Sequence, residues 1–331
     1  MNPYARRFVS QGHLVDSGLL TRMLNLIVEE GADYEVLSFR LGKTNRDESH
    51  LELEVRSPEE SRLADLTARL VALGCYERKP GEGLFRPAPR DGVAPEDFYS
   101  TTHHRTEVHV QGRWREVRRQ RMDGVVVLED GDPVCRKLRD LAAGQAVLCG
   151  SSSVRLAPPA RARDPGLFGF MQSEVSSERS VENAVRRVAG ELKSIRAAGG
   201  RIVVVAGPVV VHTGGAPALA ALVRAGFVQG LLAGSIRDDG PLPETINDMI
   251  QAQGAYERIL AEVSLVLMPG SMLHSIAVGN MLPSWVKMVC VDIAPPVITK
   301  LADRGSAQTA GIVTDVGFFL RGLAANLMGS V

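Results

Sequence analysis

The chain has no excess of either charge: 38 basic residues meet 38 acidic ones, and the formal net charge is zero. A nucleic-acid or anionic-membrane partner needs a basic field that this composition does not supply, so neither is expected. Cysteine is scarce, with four residues (Cys75, Cys135, Cys149 and Cys290) and no CxxC pair. Disulfide scaffolding and a structural zinc site are therefore not expected, and a reducing cytoplasm is the simplest compartment. No apolar run is long enough to span a bilayer, and the N-terminus MNPYARRFVS lacks the apolar centre of a signal peptide. What remains is 331 residues, 45% hydrophobic and 23% charged, enough for two or three globular domains with sizeable cores.

Three zones follow, over residues 1–80, 81–159 and 160–331. In the first, FVSQGHL reads as a strand. A helix follows, with Asp16 or Ser17 as N-cap and Leu19, Leu20, Met23, Leu24, Ile27 and Val28 on one stripe. YEVLSFRLG and HLELEVRS alternate like paired strands. Pro58 opens a second helix with Leu63, Leu66, Leu70, Val71 and Leu73 inward, and CYERK closes the unit. The order β-α-β-β-α-β is that of a ferredoxin-like α+β module. The second zone holds short strand-like runs between turn signals and reads as a small, mostly antiparallel β subdomain. It contains FYSTTHHRTEV, whose adjacent His103 and His104 would point to opposite faces of a strand and so make no natural metal pair. APPARARDPG then reads as a linker.

The third zone alternates apolar runs with helices. RIVVVAGP, VQGLLAG, VSLVLMPGS, VKMVCVDI and AQTAGIVTD are each followed by a helical pattern. Continuous Val/Ile/Leu runs of this kind predict a doubly wound, mostly parallel sheet covered on both faces, with ligands bound beyond the carboxyl ends of its strands. Those ends are small or polar: Gly207-Pro208, Gly234-Ser235, Gly270-Ser271, Asp292 and Thr314-Asp315. Glycine admits a ligand to the backbone, and a carboxylate can accept both hydroxyls of a ribose, which makes Asp292 a candidate ribose acceptor. Asp292 and Asp315 can equally be N-caps of the helices that follow. No GxGxxG follows any strand, so the usual dinucleotide fingerprint is absent.

Taken in order, GHLVDSGLLTRMLNLI, FYSTTHHRTEV, FMQSEVSSERSVE, VVVAGPVVVHTG, LAGSIRDDGPLPE, MLHSIAVGNMLP, VCVDI, KLADRGSAQ and GIVTDVG closely resemble the archaeal-type ornithine cyclodeaminases. The same module forms the C-terminal part of cyanobacterial arginine-guanidine-removing enzymes. The N-terminal zone is similar to the conserved region of lysine-ketoglutarate reductase/saccharopine dehydrogenases. The resemblance implies a nucleotide-binding domain of the deoxyhypusine-synthase type, a homo-oligomer, and conversion of L-ornithine to L-proline and ammonia by internal hydride cycling on bound NAD. Carried over residue by residue, it implies cofactor contacts at Asp239, Ser271, Met272, Leu273, His274, Asp292, Asp315 and Val316. Asp238, Arg237 and His212, at neighbouring strand ends, are the candidates for proton transfer or substrate-carboxylate binding, with no metal. His212 can also be a capping or packing residue, and Arg237 can pair with Asp238 or Asp239. One departure stands out: in relatives an Asn-Ala-containing strand end and a His-rich segment precede the strand leading to SIRDDGPLP, whereas here AGFVQG runs straight into LLAGSIRDDG, as if shortened near 229–232. A second function therefore stays open, that of a non-catalytic NAD- or amino-acid-binding protein, and a third, that of a structural remnant.

Overall fold

A computed structural model describes residues 4–15, 17–43, 47–157, 178–233, 245–246, 248–304 and 309–329. The chain divides into two compact units, Met1–Asp164 and Pro165–Val331.

In the first unit, β1 (Tyr4–Gly12), α1 (Leu19–Glu29), β2 (Asp33–Arg40), β3 (Ser49–Ser57), α2 (Glu60–Ala72) and β4 (Cys75–Glu77) follow one another. The sheet order is β2-β3-β1-β4, with β1 antiparallel to both β3 and β4, the arrangement expected of a ferredoxin-like module. Its core joins Phe8, Met23, Ile27, Leu51, Leu53, Leu63, Leu66 and Leu70. The stripe read for α1 is corrected at one position: Val28 is 63% exposed and Leu26 is buried instead. The N-cap of α1 is Gly18 at φ 71°, not Ser17, although the Ser17 hydroxyl accepts the Leu19 N–H at 3.3 Å. Asp16 lies outside the described residues.

The same unit continues with β5 (Leu84–Pro87), β6 (Arg105–Val110), β7 (Arg113–Glu116), β8 (Val125–Glu129), β9 (Asp132–Arg136), β10 (Ala146–Cys149) and β11 (Val154–Ala157). They form two small antiparallel sheets, β5-β10-β8-β9 and β11-β6-β7. Helix α2 turns Val71 away from its own sheet and into the core of these strands, beside Val108, Val126, Leu148 and Val154. One helix thus serves two cores.

The second unit runs α3 (Glu178–Ala197), β12 (Arg201–Ala206), α4 (Val209–His212), α5 (Ala216–Arg224), β13 (Gly230–Ala233), α6 (Met249–Leu260), β14 (Val263–Pro269), α7 (Leu273–Gly279), β15 (Lys287–Asp292), α8 (Pro295–Arg304), β16 (Thr309–Val313) and α9 (Val316–Met328). All pairings in its five-stranded sheet are parallel, in the order β13-β12-β14-β15-β16. The apolar runs are buried on both faces because successive side chains alternate. Ile202, Val204, Leu265, Leu267, Val289 and Val291 join α3, α5 and α9. Val203, Val205, Val266, Met268, Met288 and Cys290 join the residues of α6, α7 and α8 on the other side. One sequence expectation changes: VQGLLAG is an edge strand in which Leu232 is buried and Leu231 is 49% exposed. The β-branched Val209–Val211 begin a short helix. Among the described residues no helix is long and apolar enough to cross a membrane.

Candidate functional site

Numbered along the chain, the second sheet has the order 2-1-3-4-5, so the connections leave in opposite directions on either side of β12 and β14. The carboxyl ends at such a switch point form the natural crevice of an open α/β sheet. Here they touch. The Gly207 N–H donates to the Pro269 carbonyl at 3.1 Å, and the Gly270 N–H donates to the Val291 carbonyl at 2.8 Å. A Cβ at Gly207 would stand 1.7 Å from the Gly270 carbonyl oxygen, so only glycine allows this approach. Gly270 itself sits at φ +61°, where a side chain is strained and would meet Val209 at 2.7 Å. A second contact of the same kind lies nearby, because a Cβ at Gly317 would meet the Thr213 carbonyl oxygen at 2.1 Å. Glycines thus let the β12–α4 and β14–α7 connections and the start of α9 close on one another.

Around this point stand several of the residues expected from sequence. Ser271 is buried, and its hydroxyl lies 3.5 Å from Nδ1 of His274. Met272 and Leu273 are exposed, Leu273 at 72%. Oδ1 of Asp292 accepts the Ala294 N–H at 2.9 Å in a local turn ahead of α8, and its backbone carbonyl accepts the Thr314 N–H at 3.0 Å. That hydrogen bond engages one carboxylate oxygen and leaves acceptor capacity on the other. Asp315 is the N-cap of α9, with Oδ1 accepting the Phe318 N–H at 2.7 Å, so the capping role is filled. The side chain of Val316 is buried in the core, which leaves only its backbone to meet a ligand. His212 closes α4 and is exposed, so it is not a packing histidine. Arg237, Asp238 and Asp239 lie outside the described residues. No group of three or more His, Cys, Asp or Glu that could hold a metal occurs among the described residues.

One feature escaped the sequence reading. A cavity of about 450 Å³ lies beside the switch point, walled by Gly207, Pro208, Val211, Ala220, Val223 and Leu231 among others. Its room comes from small side chains on α5, where Ala216 and Ala220 recur one helical turn apart. That spacing is visible in APALAALVRAG, but which face of the helix would be left uncovered is not.

Comparison with known proteins gives the following. Residues 6–104 match the LOR/SDH bifunctional enzyme conserved region, and residues 105–185 match the first region of the arginine dihydrolase ArgZ-like C-terminal part. The Rossmann-fold region of that C-terminal part matches in two overlapping stretches, 186–234 and 230–323. The ornithine cyclodeaminase of Methanopyrus kandleri is 37% identical over 395 aligned positions, covering 96% of each chain. The bifunctional arginine dihydrolase/ornithine cyclodeaminase AgrE of Nostoc sp. is 38% identical over 96% of this chain, which spans 57% of that protein's length. The crystal structure of apo ArgZ, a cyanobacterial arginine dihydrolase, superimposes with a TM-score of 0.81 at 34% identity, covering 99% of this chain and 58% of that one. The chain therefore belongs to the ornithine cyclodeaminase family that the archaeal enzymes share with the C-terminal part of the ArgZ-like proteins.

Proposed function

We propose that this chain is an NAD-dependent ornithine cyclodeaminase that converts L-ornithine to L-proline and ammonia, working in the cytoplasm as a homo-oligomer. The observation that carries the reading is the glycine-closed switch point of a parallel sheet, in a chain related to archaeal ornithine cyclodeaminases along nearly its whole length. Asp292 is on β15, and the apolar cavity lies between the ends of β12 and β13, two to three inter-strand intervals away. At about 4.8 Å per interval this is ~10–14 Å, longer than a single nucleoside needs. NAD fits: the second oxygen of Asp292 would take a ribose diol and the apolar cavity would take a base.

Bound NAD supplies a hydride acceptor and, later in the same turnover, the donor. The chain's own residues position and shield. Met272, Leu273 and Val211 would close over the bound molecules and exclude water, and Ser271 would orient the His274 ring. His212, Arg237 and Asp238 stay the candidates for moving amine protons and holding the substrate carboxylate, and Asp239 and Asp315–Val316 for further cofactor contacts.

A second reading, binding of NAD or an amino acid without turnover, rests on a specific observation. Residues 230–234 are matched twice by the Rossmann-fold family model, and the alignment to the Methanopyrus enzyme spans 395 positions against 331 residues here. A βα section shortened at β13 accounts for both, and such a section would take part of the active site with it. The deciding experiment is an ornithine-to-proline assay with ammonia detection, run beside an NAD⁺ titration of the wild type and Asp292→Ala. Ammonia formation supports the enzyme. Saturable NAD⁺ binding without ammonia supports the second reading, and no NAD⁺ binding at all sinks the enzyme and leaves of the second reading only the binding of an amino acid.

A further inference from the structure

The first unit contains a larger cavity that the strand-end reading does not use. It encloses about 660 Å³, within the ordinary range for a small-molecule site. One wall is α2. Its Leu63, Leu66 and Leu70 face the core, while Ala64, Ala68 and Ala72, each one turn from the next, face the cavity. These methyl groups leave space where longer side chains would fill it. The opposite wall is Asp97 with the loop Phe98–Thr102 that opens FYSTTHHRTEV, together with the turn at Gly150 between β10 and β11.

The lining is charged and hydroxylic. Nη1 of Arg6, on β1, is held by Glu77 at 2.9 Å and lies 3.4 Å from the Thr67 hydroxyl. A guanidinium has five N–H donors in a fixed fork, so others remain for a carboxylate. Asp65, on α2, makes no ion pair among the described residues. Asp97 also lines the cavity but shares its charge with Arg86 at 3.1 Å. The hydroxyls of Ser100 and Ser151 complete a set that offers donors and acceptors together.

The loop is braced from beneath in a way that leaves hydrogen-bonding capacity unfilled. Nε2 of Gln120 donates to the Thr102 carbonyl at 2.6 Å, while its buried Oε1 has no partner among the described residues. Nδ1 of His103 and Nδ1 of His104 are likewise buried without one. Gln120, His103 and His104 stand behind the loop and do not line the cavity.

We propose that this cavity binds a free α-amino acid with a cationic side chain, its carboxylate on Arg6 and an ammonium group on Asp65, at a site separate from the strand ends of the second unit. The chemistry follows from the lining, which holds Arg6 paired with Glu77, Asp97 paired with Arg86, and Asp65 with no ion pair among the described residues. A neutral apolar ligand would leave Asp65 without a charged partner. The proposal does not depend on NAD binding.

The test is calorimetric titration of the full chain, without NAD⁺, using L-ornithine and L-arginine. Norvaline lacks the side-chain cation and putrescine lacks the carboxylate, so both should bind at least tenfold more weakly. Asp65→Asn should weaken L-ornithine or L-arginine binding at least tenfold. Ala68→Phe should do the same by filling the cavity from an exposed helix position that tolerates the change. Both variants should keep the wild-type thermal melt and NAD⁺ titration, and Asp292→Ala should keep its amino-acid binding. Absence of saturable binding in the wild type overturns the proposal. So does a binding stoichiometry and affinity left unchanged by both cavity variants, or binding that is lost altogether in Asp292→Ala. A failed NAD⁺ titration alongside intact amino-acid binding would count against the cyclodeaminase reading and leave this site standing.

Discussion

Replacing Gly207 with alanine isolates the contact at the switch point. The added methyl carbon would lie 1.7 Å from the Gly270 carbonyl oxygen, 2.5 Å from its carbon and 3.1 Å from the Ser271 Cα, all of them backbone atoms that cannot rotate away. Non-bonded carbon and oxygen stay at least ~3 Å apart, so the β14–α7 connection must retreat by on the order of 1 Å. Overpacking of that kind costs about 1–3 kcal/mol, and the Gly207-to-Pro269 hydrogen bond is strained with it. For a domain of this size each kcal/mol is roughly 2–4 °C in Tm, so Gly207→Ala should melt about 2–12 °C below the wild type. The displaced connection carries Ser271 and the following residues of the proposed cofactor site, and a ~1 Å misplacement there is worth ~10²-fold in rate. Gly190→Ala is the internal control: Gly190 lies in α3 with nothing within 4 Å of the new methyl, and the change should stabilise by about 0.5–1 kcal/mol. Differential scanning calorimetry and NAD⁺ titration read both variants. If Gly207→Ala melts with the wild type and binds NAD⁺ equally well, the close approach at the switch point has no energetic meaning and the argument built on it fails.

Two further predictions concern single interactions. Asp315→Ala removes the acceptor that caps α9 and should lower stability by about 1 kcal/mol, whereas Asp315→Asn keeps an oxygen for the Phe318 N–H and should lose much less; equal melting of the two variants would refute the capping role. Burial holds the His104 pKa below its ordinary 6.5, with neighbouring His103 acting in the same direction. The fold therefore prefers the neutral ring, and the unfolded chain takes up the proton first as pH falls. Its contribution is complete above about pH 6.5 and declines below it, so urea titrations between about pH 8 and about pH 5 should show a fall that is shallower in His104→Gln. An identical slope in both proteins would rule out His104 as a source of acid sensitivity.

The comparison of sequence with structure turns on particular elements. The runs RIVVVA, VSLVLMP and KMVCVD could be read as central parallel strands because they are apolar at every position, and both faces of each are buried. The same logic misjudged GLLA, an equally apolar stretch that lies at the sheet edge, since composition carries no information about how many neighbours a strand has. Val209–Val211 form a helical turn although β-branched residues disfavour it, between the closely packed Gly207 and Gly215. Asp315 was legible as a cap from its place before an apolar helix, and the structure places it there. Neither cavity was legible. Each depends on which face of a helix is left uncovered, at Ala216 and Ala220 in one unit and at Ala64, Ala68 and Ala72 in the other.

By itself the sequence determined the local elements, the parallel character of the second sheet and the family, because periodicity, turn residues and ordered motifs are properties of neighbouring residues. Only the tertiary structure decided the strand order that creates the switch point, the contact between Gly207 and Gly270, and the charged cavity under FYSTTHHRTEV. Those depend on residues far apart in the chain, and their meeting is set by how whole faces pack rather than by any local preference.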